Sequence, residues 1–240
     1  MTTFLLLHGG QHGAWCWRRV EPLLQALGHG TVAPDLPMHD PAFGAREWAR
    51  LAASSVPPDV GDLVVVAHSK SGLALPLIPE FRPVRRLVGL SALLAQPGVS
   101  FAEYSATRDG ADALLFRRFT PGPTEEVRGE DTTWEVFRTY YAHDCPEADA
   151  RWAWEQLRRS PLTAVLEAAT IASWPAVPTT SIVMQDDRIV NPTWSRRVAA
   201  KLGADVIELP GGHSPFFAKP ELLASTLASL AAWRSEARLA

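Results

Sequence analysis

Three residues in this chain could together perform nucleophilic catalysis: Ser69 in "VVVAHSKSG" (64–72), Asp187 in "QDDRIV" (185–190) and His213 in "LPGGHSPFF" (209–217). A serine hydroxyl is a weak nucleophile until a base removes its proton during attack. Histidine can do this near neutral pH and then return the proton to a leaving alcohol. A carboxylate fixes the imidazole tautomer and stabilises the imidazolium that forms. The tetrahedral intermediate also needs preorganised hydrogen-bond donors, and losing one typically costs about 10²–10³ in rate. Two such donors are readable here. One is the backbone N–H of Lys70, the residue after Ser69. The other comes from the loop "HGGQHGAWCW" (8–17), where Gly9 and Gly10 let the backbone pass close to a ligand without a Cβ in the way.

A serine of this kind usually sits in the pattern G-x-S-x-G, on a strained turn from strand to helix. Ala67 and Ser71 stand at the two glycine places. They are the smallest replacements available, so the turn is expected to survive. Alone, Ser69 could be an ordinary helix N-cap; with an acid and a histidine following later strands, the nucleophile reading prevails. Asp186, beside Asp187, reads as solvated or as a loop hydrogen bonder. His8, His12 and His68 read as structural: the first ends a strand, the second shapes the 8–17 loop, the third points away from the site. "AHDC" (142–145) has no ligand-spaced partner, so no metal is expected. Trp134, Trp152 and Trp154 read as packing, and Arg85, Arg86, Arg158 and Arg159 as solvated faces. Lys70 is the odd residue, because a cation in the first turn of a helix opposes the helix dipole. Its stem could snorkel to water, or its ammonium could face the pocket and meet an anionic group of the substrate.

These residues need a scaffold that gathers strand ends. Short apolar runs at 3–8, 31–34, 63–68, 86–92, 179–185 and 205–209 read as strands, most of them continuously apolar, as in a parallel sheet covered on both faces. Helical stretches are expected near 15–28, 44–55, 70–79, 192–202 and 220–236, with prolines in "NPTW" and "AKPELL" marking two starts. The alternation gives a doubly wound α/β fold of about six mainly parallel strands. Residues 1–95 and 174–240 form its core. Residues 96–173, without a convincing core strand but with helices in 132–144 and 146–160 and a loop at 119–126, read as a helical cap inserted after the fourth strand. Parallel strands deliver Ser69, Asp187 and His213 to one edge of the sheet.

The chain is 47% hydrophobic and 20% charged, the balance of an ordinary globular protein. Its net charge of −3 gives no reason to expect nucleic acid or an anionic membrane as partner. Two distant cysteines, Cys16 and Cys145, read as reduced thiols. With neither a signal peptide nor a long apolar stretch in view, the expectation is a cytoplasmic monomer or homodimer.

Taken together, "HGGQHGAWCWRRVEPLLQALGH" (8–29), "AHSKSG" (67–72), "QDDRIV" and "GGHSPFFAKPELLA" (211–224) resemble the α/β-hydrolase superfamily, most closely the branch of plant methylesterases, hydroxynitrile lyases and related bacterial esterases. The resemblance spans nearly the whole chain and is weakest in the cap. It implies Ser69 as nucleophile, Asp187 as acid, His213 as base, and the main-chain N–H groups of Gly10 and Lys70 as oxyanion donors. The expected reaction is cofactor-free hydrolysis of a small carboxylic ester with an apolar or aromatic portion, through an acyl-enzyme. A lyase using the same triad is the first alternative, but in the family those lyases carry threonine where this chain has Gly9 and lysine where it has Ser214. A ligand-binding relative without turnover is the second.

Overall fold

The computed structural model describes residues 1–115 and 132–232. Six strands form one sheet: β1 (Thr3–Leu7), β2 (Gly30–Val32), β3 (Leu63–His68), β4 (Arg86–Leu90), β5 (Thr179–Met184) and β6 (Asp205–Leu209), in the order β2-β1-β3-β4-β5-β6 with every pair parallel. β1, β3, β4 and β5 are buried along their whole length, whereas the edge strands β2 and β6 are partly exposed. Continuous apolar runs therefore mark the centre of the sheet, which is covered on both faces. The chain leaves β1 toward β2 and returns past it to β3. The order reverses at this pair, so the loops after β1 and β3 diverge and open a crevice at their C-terminal ends. Residues 8–13 and Ser69 occupy those two loops.

The helices begin and break where backbone chemistry requires. α1 (Glu21–Ala26) is shorter than the predicted helix over 15–28, which is split into a 3₁₀ turn at Ala14–Trp17 and this segment. Pro22 has no N–H to bond back across the join. α2 (Ala45–Ser55) starts at Gly44, whose N–H donates to Glu47 Oε2 at 3.1 Å. The stretch after Ser69 forms two 3₁₀ segments, Ser69–Leu73 and Leu75–Glu80, with Pro76 and Pro79 removing the donors that an α-helix would use.

Between β4 and β5 lie α3 (Phe101–Ser105), a helical turn Trp134–Val136 that runs into a π-helical turn Phe137–Tyr141, α4 (Glu147–Glu155) and α5 (Thr163–Leu166). Among the described residues this stretch holds no strand, only isolated bridges Ser100↔Ala168 and Leu114↔Val190. Phe101, Phe137 and Ala153 belong to the same buried apolar cluster as the sheet residues. The loop read at 119–126 lies outside the described residues. α6 (Pro192–Lys201) starts at the predicted Asn-Pro, with Asn191 Oδ1 accepting from Thr193 N–H at 2.9 Å, and α7 (Pro220–Ala232) follows at the predicted Lys-Pro. No described helix is long and apolar enough to cross a membrane.

Arg86 departs from the sequence reading. Expected on a solvated face, it is 1% exposed. It opens a central strand, and its guanidinium runs beneath β5 to donate to Thr180 Oγ1 at 2.7 Å and Asp205 Oδ2 at 3.1 Å. The neighbouring strands supply the partners that a buried cation needs.

Candidate active site

Ser69 stands immediately after β3 with φ of 53°, in the left-handed region. For a residue with a Cβ this costs roughly 1–2 kcal/mol, so the surroundings must enforce it. They do so through Leu93 N–H, which donates to Ser69 O at 2.9 Å, and through Ser71. The fully buried Ser71 hydroxyl lies 2.8 Å from His68 O and 3.2 Å from Leu7 O, sharing its proton between two strand-end carbonyls. Close approach is felt one residue later. A Cβ on Gly72 would lie 2.6 Å from Leu93 O and 2.8 Å from Ala92 Cβ. Thus Gly72 carries the steric demand, and position 71 has room for a hydroxyl.

His213 follows β6 and donates from Nδ1 to Asp187 Oδ2 at 2.9 Å, with the pair 1% and 4% exposed. The other oxygen, Asp187 Oδ1, accepts from the N–H groups of Ile189 (2.7 Å) and Val190 (3.0 Å). Both carboxylate oxygens are thereby fixed, and the ring is held with its Nε2 lone pair free to accept a proton. Asp186 acts elsewhere. Its Oδ2 accepts from Gly211 N–H and its N–H donates to Gly211 O, both at 3.0 Å, so it ties the loop after β5 to the histidine loop. "AHDC" serves the same loop: Asp144 Oδ2 accepts from Gly212 N–H at 2.8 Å, and the Cys145 thiol, pushed up to about 12 by burial, faces Ser214 O at 3.8 Å.

Three other histidines brace the backbone, as their positions suggested. His8 donates from Nδ1 to Gly9 O at 2.9 Å and accepts from Leu36 N–H at Nε2; burial drives its pKa down to about 4. His12 donates to Gly10 O at 3.0 Å, and its pKa falls to about 3 for the same reason. His68 donates to the main-chain oxygen of His213 at 2.9 Å, with burial holding its pKa well below the usual value. These are neutral imidazoles at pH 7. They fix the carbonyls on both sides of Ser69.

Above the crevice is a pocket with about 670 Å³ of empty space, part of it bulk solvent at its mouth. Gly10, Gln11, Ser69, Lys70 and Ser160 supply its polar wall, and Leu93, Phe101, Leu114, Tyr141, Val165 and Ile189 much of the apolar remainder. The Tyr141 ring also meets the edge of the His213 ring, with centroids 5.9 Å apart. Lys70 does not snorkel to water. Only 7% exposed, it runs along Gly10, where a Cβ would lie 3.1 Å from Lys70 Cδ, and its Nζ donates to Ser160 Oγ at 3.0 Å and to Pro161 O. Burial brings its pKa down to about 7. Ser160 and Pro161 cover its Nζ, so the ammonium has no short route to solvent.

Sequence reasoning missed the tethers of the 8–13 loop. Gln11, with φ of 64°, donates from Nε2 to Thr132 Oγ1 at 2.9 Å, and its carbonyl accepts from Arg158 N–H at 2.8 Å. The Arg158 side chain, expected in solvent, forms a two-pronged ion pair with Asp35 at 2.5 and 2.8 Å. These partners lie more than a hundred residues apart, and no local pattern announces them. The tryptophans behave as packing: Trp134 meets Trp154, Trp152 meets Trp15, and none lines the pocket.

Known proteins are similar to this chain in sequence and fold. Methylesterase 2 of Arabidopsis thaliana is 27% identical to this chain over 252 residues, covering 95% of each. Pyrethroid hydrolase of Sphingobium wenxiniae is 25% identical over 247 residues, covering 96% of this chain and 88% of its own. Among solved structures, a pyrethroid hydrolase from Sphingobium faniae superposes with a TM-score of 0.79 at 22% identity over 98% and 99% of the two chains. A methylesterase from Arabidopsis gives 0.73 at 22% identity over 97% and 99%. The profile of the alpha/beta hydrolase family matches residues 4–226. With that match running from β1 into α7, over the parallel sheet and its strand-end loops, the chain belongs to the alpha/beta hydrolase family.

Proposed function

We propose that this protein is a serine hydrolase that cleaves a carboxylic ester with a largely apolar or aromatic portion. The observation that carries the reading is the dry Asp187–His213 pair, fixed at both carboxylate oxygens, on the same sheet edge as a strained Ser69 that opens into an apolar pocket. The kinship with a methylesterase and a pyrethroid hydrolase supports ester chemistry. Ser69 Oγ attacks the ester carbonyl carbon while its proton passes to His213 Nε2, and Asp187 stabilises the imidazolium. The N–H groups of Gly10 and Lys70 receive the oxyanion. Collapse breaks the bond to the alcohol, which leaves with the proton from His213. Water then repeats the sequence on the acyl-enzyme and regenerates Ser69. The described residues within 96–173 act as the cap that shapes the pocket, and the buried free thiols of Cys16 and Cys145 suit a reducing, cytoplasmic setting.

The lyase alternative meets two obstacles. A Cβ at Gly9 would lie 2.7 Å from His68 Nδ1 and 3.0 Å from Ser69 Cβ, which leaves no room for threonine. Ser214 is fully buried, a poor place for an ammonium. Hydrolysis of p-nitrophenyl acetate and labelling by a fluorophosphonate test the proposal. Ser69→Ala is expected to lower turnover on the order of 10⁴–10⁶-fold and abolish labelling. Activity within tenfold of the parent, or Ser69-dependent cyanide release from mandelonitrile, would overturn it.

A further inference from the structure

Lys70 is the one charged side chain among the described residues that line the pocket, and no carboxylate accompanies it. The groups that face it are all neutral: Gly10 from the loop after β1, the Trp48 ring of α2 at 5.6 Å, and Ser160 and Pro161 from the stretch before α5. An ammonium has three N–H donors. Two meet neutral oxygens, which leaves one for whatever fills the pocket. The Trp48 face offsets part of the lost hydration, as cations over aromatic rings do. The rest is uncompensated, and burial alone, with no opposing charge, brings the pKa from 10.5 to about 7. A tie between Ser69's neighbour and Pro161 would need only a neutral donor. A cation kept here at the expense of its hydration is explained by an anion that arrives with the ligand.

We propose that the Lys70 ammonium anchors a carboxylate carried by the ligand, so that the substrate has an apolar body, a reacting carbonyl at Ser69 and a second, anionic group at Lys70. The reacting carbonyl rests on the hydrolase reading above; the carboxylate site does not. The stem lies along Gly10, so the anion is seated on that side of the pocket, beneath Ser160 and Pro161. Pairing favours the charged lysine, and binding above pH 7 therefore draws a proton from solution.

Calorimetry on the wild-type protein at pH 8 tests this with 3-phenylpropionate and 4-phenylbutyrate against their primary amides, in two buffers of different ionisation enthalpy. None of these is an ester, so turnover does not enter. The expected result is at least tenfold tighter binding of one carboxylate than of its amide, with proton uptake approaching one. Lys70→Met is expected to abolish both the preference and the uptake. Should that variant fail to fold by circular dichroism, the wild-type affinities and uptake decide. Failure of both carboxylates to bind at millimolar concentration, affinities within threefold of the amides, absence of proton uptake, or a preference that survives in a folded Lys70→Met protein would each overturn the proposal. Wild-type hydrolysis of p-nitrophenyl acetate is scored separately, so loss of one reading leaves the other standing.

Discussion

At the scale of single residues, the two adjacent aspartates show how neighbouring identical side chains acquire different roles. Asp187 Oδ1 is committed to two backbone N–H groups, so an asparagine there must place its oxygen on that side and turn its NH₂ toward His213 Nδ1. The ring would then hold its proton on Nε2, where a base cannot accept one. Asp187→Asn is expected to lower kcat on the order of 10⁴-fold, as a wrong tautomer does. Asp186→Asn keeps an oxygen for Gly211 N–H and is expected to lose less than tenfold. Steady-state rates on p-nitrophenyl acetate check both, and reversed losses would move the acid to Asp186. The placement of Ser69, Asp187 and His213 past β3, β5 and β6 was legible because the apolar runs before them mark the strands. Gln11, Asp144 and Ser160 were not, since each acts through a partner brought close only by the fold.

At the scale of elements, the regular strands were readable and the elbow, the strained turn from β3 through Ser69, only partly so. β3 and β6 coincide with the apolar runs at 63–68 and 205–209, because a parallel strand advertises itself by composition. The helix expected over 70–79 became 3₁₀ turns because Pro76 and Pro79 withhold donors, a feature visible in the sequence but outweighed by the helical pattern. The missing elbow glycines posed a question that spacing could not answer, because the close contact at Gly72 comes from Ala92 and Leu93 after β4. Gly72→Ala is expected to push the elbow off those residues. It should destabilise the fold by about 1–3 kcal/mol in urea unfolding and slow ester turnover, whereas Ser71→Gly should leave stability within about 1 kcal/mol.

At the scale of the whole molecule, the buried bases give stability a definite pH course. His8 and His12 are held near 4 and 3, so the unfolded chain binds more protons than the folded one below about pH 6.5, and stability falls as acid is added. Lys70 is held near 7 against 10.5, so the same inequality operates between those values, and its contribution rises with pH from about 7 to 10.5. Lys70→Met should lack the alkaline rise and exceed the parent below pH 7 by a few kcal/mol at order of magnitude, with the two converging above pH 10.5. Urea unfolding at pH 6 and pH 9 checks the difference; a stability gap between variant and wild type that does not narrow from pH 6 to pH 9 would contradict the burial. The long-range pairs that close over these buried groups left no trace in local sequence. They gather on Arg158–Pro161, which grips Gln11, Asp35 and Lys70 at once. Ser160 lines the pocket, while Arg158, Ser160 and Pro161 hold Gln11 and Lys70 beneath it, so one short stretch serves both the wall of the pocket and the fastening of its floor. In evolutionary terms the proposed activity would be yoked to this stretch: substitutions that remodel it are expected also to loosen the loop carrying Gly10, so that selectivity and rate change together.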